Sequence, residues 1–145
     1  MPVSGAKLAD ANVWLALAFS DHQHHAPAKH WFDTQSELTC AFCRITQMAL
    51  LRHLTNSTIM GRFVQTQAQG WRTYEKLVGD PRVVFLVEPP GVESAFRNLS
   101  SADSPSTGLW TDAYLAAFAI ASQSQLVTFD SGFRRFQAAD LLLLG

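Results

Sequence analysis

Apolar positions along the chain fall into short runs divided by polar, Gly- or Pro-bearing segments, and strand-like runs alternate with helix-like ones. Lys7-Leu8-Ala9 leading into Asp10 predicts a first strand that ends near that aspartate, with a helix over about 12–19. A polar loop, Ser20 to His25, precedes a second helix over 26–33, where Pro27 is tolerated in the first turn. Glu37 to Phe42 predicts a second, buried strand. The helix after it, 45–54, should turn Ile45, Met48, Ala49, Leu51 and Leu54 inward, and Thr55-Asn56-Ser57 breaks it. A more polar helix over 65–78 closes on Gly79-Asp80-Pro81, and the β-branched run 82–87 predicts a third strand. A short helix over 91–99 and a Ser-, Pro- and Gly-rich loop over 100–108 follow. The most apolar helix of the chain then spans 109–122. Gln125 to Asp130 reads as a fourth strand, again ending on an aspartate, 132–136 as a helical turn, and 141–144 as a short edge strand. This alternation predicts an α/β fold: a mostly parallel central sheet of four or five strands with helices on both faces. At 145 residues, one domain spanning 1–145 is expected.

Composition narrows the class. Apolar residues make up 48% and charged residues 16%, which excludes a disordered chain, a coiled coil or a charged tail. The stretch from Ser104 to Phe129 is broken by Ser, Thr, Gln, Pro and Gly, so no membrane span is expected. Residues 1–7 lack the basic-then-apolar layout of a signal peptide, and two cysteines are too few for a disulfide scaffold. A cytoplasmic location is the expectation. Net charge is −1, from 11 basic and 12 acidic residues, which argues against a wholesale duplex binder but allows a nuclease that grips RNA with a few local arginines.

The informative feature is where the chain keeps its acids. Asp112 is the only charged residue between Asp103 and Asp130, and its helical neighbours are Leu115, Ala116, Ala119 and Ile120. Asp10 is alone between Lys7 and Asp21, and five uncharged residues precede Asp130. An ionised carboxylate in apolar surroundings is costly unless paired or bound to a cation. Asp10 and Asp130 sit at strand C-termini, where parallel sheets bind ligands, and Asp112 opens a helix feeding the same edge. The three are therefore expected to converge on one point, and oxygen-only ligands select Mg²⁺ or Mn²⁺.

Leu8-Ala9-Asp10-Ala11-Asn12-Val13-Trp14-Leu15 resembles the opening of PIN domains, and the segments Trp110 to Ala119 and Leu126 to Phe133 resemble the later two motifs of that family. In length, and in Phe42-Cys43-Arg44-Ile45-Thr46-Gln47, the chain is most similar to the VapC toxins of toxin–antitoxin pairs. The resemblance implies a Mg²⁺-dependent endoribonuclease held inactive by a small cognate antitoxin. Asp10, Asp112 and Asp130 match the family's acidic metal positions, and Asn12 and Thr128 its supporting polar ones. The family's fourth acid, a Glu early in the helix after the second strand, has no counterpart. Gln47 or Ala49 falls near its place, and Gln47 is expected to hold a water ligand beside one well-bound cation. The implied chemistry is hydrolysis of a phosphodiester to leave a 5′-phosphate and a 3′-hydroxyl. Arg44, Arg134 and Arg135 lie in loops or helix starts near the same edge and are expected to hold flanking phosphates.

Other signals weigh less. Cys40-Ala41-Phe42-Cys43 has redox spacing, but the Gly-Pro centre is missing, and buried apolar filler is the better reading. His22, His24, His25 and His30 lack the helical i, i+4 pairing of a zinc helix. Asn12 stands where a haloacid-dehalogenase-like phosphatase needs an acid, and no lysine follows Lys76, which a phospho-receiver would require. Trp14, Trp31, Trp71 and Trp110 are read as core or interface. Trp71, Tyr74, Leu77, Leu50 and Leu51 suggest an apolar surface for a homodimer or an antitoxin helix. The alternative function is a catalytically weak PIN-fold protein that binds RNA or a partner.

Overall fold

A computed structural model describes residues 5–145; residues 1–4, part of the stretch read as lacking a signal peptide, lie outside it. One five-stranded sheet organises these residues, in the order β3-β2-β1-β4-β5, with every pairing parallel. The strands are β1 (Lys7–Ala9), β2 (Cys40–Phe42), β3 (Val83–Phe85), β4 (Gln125–Thr128) and β5 (Leu141–Leu143). The helices are α1 (Ala11–Ala18), α2 (His25–Asp33), α3 (Arg44–Leu54), α4 (Ser57–Met60), α5 (Gln67–Val78), α6 (Val92–Leu99) and α7 (Leu109–Ala121). Tight 3₁₀ turns cover Gly61–Phe63 and Ser131–Arg135. None of these helices is long and apolar enough to cross a membrane.

Both faces of the sheet are covered, so strand residues alternate between two apolar cores rather than between core and water. Ala9, Cys40, Phe42 and Val127 face a core completed by α1, α2, α3 and α5. Leu8, Ala41 and Leu126 face a second core built mainly from α6 and α7. Trp14, fully buried, stacks on Phe42 with ring centroids 4.0 Å apart, and its indole N–H donates to the Ala9 carbonyl at 3.1 Å. That bond fixes the end of β1 immediately before Asp10.

Several sequence expectations need correction. Glu37 and Leu38 are not in β2; Leu38 is exposed with φ +56, and the strand begins only at Cys40. On α3 the buried residues are Thr46, Gln47, Leu50 and Leu54, whereas Met48 is 53% exposed. The helix uses its Thr and Gln inward because Thr46 caps its own start: the Cys43 N–H donates to Thr46 Oγ1 at 3.0 Å. Neither α4 nor the turn at Gly61–Phe63 was expected; Asn56 starts α4 by accepting from the Thr58 N–H at 2.9 Å. Both cysteines are free and buried, and burial pushes the Cys40 thiol up to about 11, which fits apolar filler. Of the tryptophans, Trp14 and Trp31 are core, while Trp71 and Trp110 are exposed.

Candidate active site

β1 is the central strand; the chain leaves it for β2 on one side and places β4 on the other. The strand order reverses between β1 and β4, and the carboxyl ends of such a pair open the crevice where α/β sheets bind ligands. Asp10 follows β1 and Asp130 lies just beyond β4, so both stand at this crevice. The ladder reaches the site itself, since the Asp10 N–H donates to the Val127 carbonyl at 2.8 Å.

Asp10 is the N-cap of α1. One carboxylate oxygen accepts from the Ala11 N–H at 2.8 Å and the other from Thr128 Oγ1 at 3.0 Å. Thr128 is fully buried, and its hydroxyl also accepts from Asn12 Nδ2 at 3.4 Å and from the Asp130 N–H at 3.0 Å. A hydroxyl has one proton to give and two lone pairs, so Thr128 is saturated. Asn12 Oδ1 in turn accepts from the Phe129 N–H at 3.4 Å. Four sequence-predicted residues, Asp10, Asn12, Thr128 and Asp130, thus form one hydrogen-bonded network. Asp130 itself is exposed and accepts from the Gly132 N–H at 2.8 Å, starting the Ser131–Arg135 turn.

Asp112 enters from the opposite face of the sheet, in the first turn of α7. It shares with Asp10 a cleft of about 460 Å³, whose walls include Asn12, Thr46, Ala49, Arg52, His53 and Thr111. Burial raises the Asp10 carboxyl above its usual 3.8; its hydrogen bonds from Thr128 and Ala11 oppose this, and the charges of Asp112 and Asp130 add to it. Asp112 is raised as well, by burial first and by Asp130, against the pull of Arg135. The donor set of these carboxylates, all oxygen, suits a hard divalent ion. No three His, Cys, Asp or Glu side chains among the described residues stand close enough to grip one ion as they are. Asp112 instead receives Arg135, whose Nη2 donates to Asp112 Oδ2 at 3.1 Å.

The remaining predicted residues lie elsewhere. Gln47 is turned away from the cleft, and its carbonyl oxygen accepts from Arg44 Nη1 at 2.6 Å. Arg44 lies over the Phe85 ring, 4.8 Å from its centroid, beside a separate depression between β3 and α7. Neither is among the residues that line the carboxylate cleft, to which α3 contributes Ile45, Thr46, Met48, Ala49, Arg52 and His53. It is Ala49, the other sequence candidate for the fourth acid's place, that lines the cleft. Arg134 is exposed on the turn after Asp130. Sequence reasoning missed Arg52 and His53, since two polar residues near a helix end read as ordinary surface; their shared spacing with Ile45 and Ala49 was the available signal. Burial and the neighbouring Arg52 lower the pKa of His53, which keeps that ring neutral at neutral pH.

Comparison with known proteins gives the family of this fold. The family model for the PIN domain matches residues 7–139. Ribonuclease VapC41 of Mycobacterium tuberculosis is 41% identical over 142 residues, covering 94% of this chain and 97% of the relative. Ribonuclease VapC29 of the same organism is 34% identical over 128 residues, covering 86% of each. Among solved structures, VapBC2 from Rickettsia felis bound to a promoter DNA fragment superposes with a TM-score of 0.67 at 12% identity, covering 97% of this chain and 99% of that one. Mycobacterium tuberculosis VapC20, described as a Sarcin-Ricin loop cleaving toxin, superposes with a TM-score of 0.64 at 15% identity, covering 93% and 98%.

Proposed function

This chain belongs to the PIN domain family, and we propose that it is a divalent-cation-dependent endoribonuclease acting in the cytoplasm as the toxin of a toxin–antitoxin pair. The observation that carries the reading is the placement of Asp10 and Asp112 on one cleft at the strand switch point, where burial raises both carboxyls. The ribonuclease names of its relatives at 41% and 34% identity support the same activity.

In this reading Asp10 and Asp112 hold the cation, and Asp130 orients a water or completes the ligand set. Once bound, Mg²⁺ or Mn²⁺ supplies Lewis-acid polarisation of the phosphodiester and makes water a better nucleophile. Thr128 and Asn12 hold the Asp10 carboxylate in place, with both of its oxygens directed by hydrogen bonds. Arg135 must release Asp112 to let the cation in, and is then free, with Arg134, to meet flanking phosphates. Attack in line with the 3′ oxygen leaves a 5′-phosphate and a 3′-hydroxyl. A small cognate antitoxin and a second copy of the chain are the proposed protein partners, supported by the exposed apolar side chains Ile59, Phe63 and Val64. The absence of a carboxylate on α3 favours one specific second reading, a weakly catalytic protein that binds RNA or a partner.

The deciding experiment is cleavage of total cellular RNA by the purified chain in Mg²⁺ or Mn²⁺, with Asp112→Asn and an EDTA control. Discrete cuts with 5′-phosphate ends, lost in both controls, are expected. Intact RNA at excess of folded, antitoxin-free protein would overturn the nuclease reading in favour of the binding one.

A further inference from the structure

The three acids at the sheet edge are held in different ways. Asp10 takes its side-chain hydrogen bonds from neutral donors, the Ala11 N–H and the Thr128 hydroxyl, and Asp130 takes one from the Gly132 N–H. Asp112 has a single side-chain partner among the described residues, and that partner is charged: Arg135, at 3.1 Å. Neutral donors leave a carboxylate its full charge for a cation, whereas a guanidinium in contact opposes one. The place of Arg135 is set by its turn. Asp130 starts that turn, and a Cβ on Gly132 would stand only 3.0 Å from Asp130 Oδ1, so the glycine lets the carboxylate draw the backbone in. Phe133 and Phe136, both buried, pin the turn on either side of Arg134 and Arg135, and the Arg135 guanidinium lies 5.0 Å from the Phe136 ring centroid. Arg134 is exposed and makes no ion pair among the described residues. Because α3 brings Arg52 and His53 to the cleft and no acid, a cation there is drawn by three carboxylates, one of them already paired.

Resting on the ribonuclease reading, we propose that Arg135 couples the cation to the substrate: it opposes a divalent cation at Asp112 until a phosphate takes the guanidinium over. The side chains of Arg135 and Asp112 are 47% and 36% exposed, so their ion pair is weak enough to part. A guanidinium matches phosphate oxygens as well as carboxylate ones, and in the ribonuclease reading the phosphate comes to the same carboxylates that Arg135 already touches. The effect is reciprocal. Phosphate on Arg135 relieves Asp112 and tightens the cation, and the cation on Asp112 frees Arg135 and tightens the phosphate by the same factor. Cation binding is then strongest where RNA is present.

The coupling is read as Mn²⁺ affinity, by isothermal titration, for the parent, Arg135→Gln, Arg135→Met and Arg134→Gln. Each is titrated with and without saturating uridine 5′-monophosphate, and Mn²⁺ held by the nucleotide alone is subtracted. Salt is kept at about 0.15 M, which screens charges that are not in contact. Arg135→Met keeps an apolar stem beside Phe136 and guards against a folding defect in the Gln variant. Without nucleotide, both Arg135 variants are expected to bind Mn²⁺ about threefold to fivefold more tightly than the parent, and Arg134→Gln much less so. With nucleotide, that advantage should vanish, because the parent's Arg135 then has a phosphate. A purely structural role would move both titrations in one direction. Mn²⁺ affinity in the Arg135 variants equal to or weaker than the parent's without nucleotide would overturn the proposal. An equal gain in Arg134→Gln would overturn it as a net-charge effect, and a gain undiminished by nucleotide would leave competition without coupling and overturn it too. The ribonuclease reading stands or falls separately. A parent that shows the coupling but leaves RNA intact in Mn²⁺ removes the nuclease and keeps the role of Arg135; one that cuts RNA while its Arg135 variants titrate like the parent removes only the coupling.

Discussion

Ala49 and Gln47 stand two positions apart on α3, and a helix turns about 200° over that step, so only one of them can face Asp10 and Asp112. The cleft is lined by Ala49, while Gln47 is buried and committed to Arg44. A carboxylate introduced at these two positions should therefore behave in opposite ways. Ala49→Glu is expected to tighten Mn²⁺ binding by about tenfold or more, because a further charged oxygen ligand joins the site, whereas Gln47→Glu should leave Mn²⁺ affinity unchanged and form an ion pair with Arg44. Isothermal titration with Mn²⁺ reads both; tightening in the Gln47 variant alone would reverse the assignment. The acids themselves were legible in the sequence because lone charges in apolar flanks are conspicuous. Arg135 on Asp112 was not, since the two are 23 residues apart and meet only when α7 and the turn after β4 reach the same edge.

At the scale of elements, the site depends on how β4 hands over to α1, and that joint is the Thr128 hydroxyl. It donates to the cap of α1, and accepts from the Asn12 amide and from the backbone that starts the last 3₁₀ turn. Thr128→Val keeps the shape and removes the hydroxyl, leaving buried polar partners unsatisfied at about 1–3 kcal/mol; urea unfolding should show a loss in that range, along with weaker Mn²⁺ binding. A second joint ties β3 to α2. Arg82 forks onto Asp80 at 2.9 Å, donates to the Phe32 carbonyl at 3.1 Å and lies 3.9 Å from the Phe32 ring centroid. The hydrogen bond from Arg82 holds the Asp80 carboxyl below its usual 3.8, so the stability it contributes is present above that value and lost as pH falls through the lower folded one. Arg82→Leu is expected to lower the melting temperature at neutral pH, and the gap from the parent should narrow in acid. A constant gap across pH would mean that packing on Phe32 dominates. Element order and type were readable because hydrophobic period and turn residues agree along most of the chain. The start of β2 and the inward face of α3 were not, because a left-handed turn at Leu38 and a self-capping Thr46 are local choices that apolar patterning does not record.

For the whole molecule, the sheet places chemistry at one end of α1 and apolar surface at the other. Asp10 caps the start of this helix, and Leu15, Ala18 and Phe19 near its end join Ile59, Met60 and Phe63 around a groove of about 340 Å³. The 8 residues of α1 separate the two sites by roughly 12 Å, at about 1.5 Å per residue. Ile59 and Phe63 are 48% and 45% exposed, so replacing them removes little from the core. An antitoxin that lays an amphipathic helix into this groove would anchor away from the carboxylates and need a further segment to reach them. Anchoring and inhibition should then be separable. The double variant Ile59→Glu/Phe63→Glu is expected to melt within a few degrees of the parent, cut RNA at the parent rate, and fail to co-purify with the antitoxin. Co-purification undiminished in that variant would place the antitoxin elsewhere on the surface. Loss of RNA cleavage in a well-folded variant would mean that the groove and the carboxylate cleft work as one unit, making the apolar end of α1 part of the substrate path.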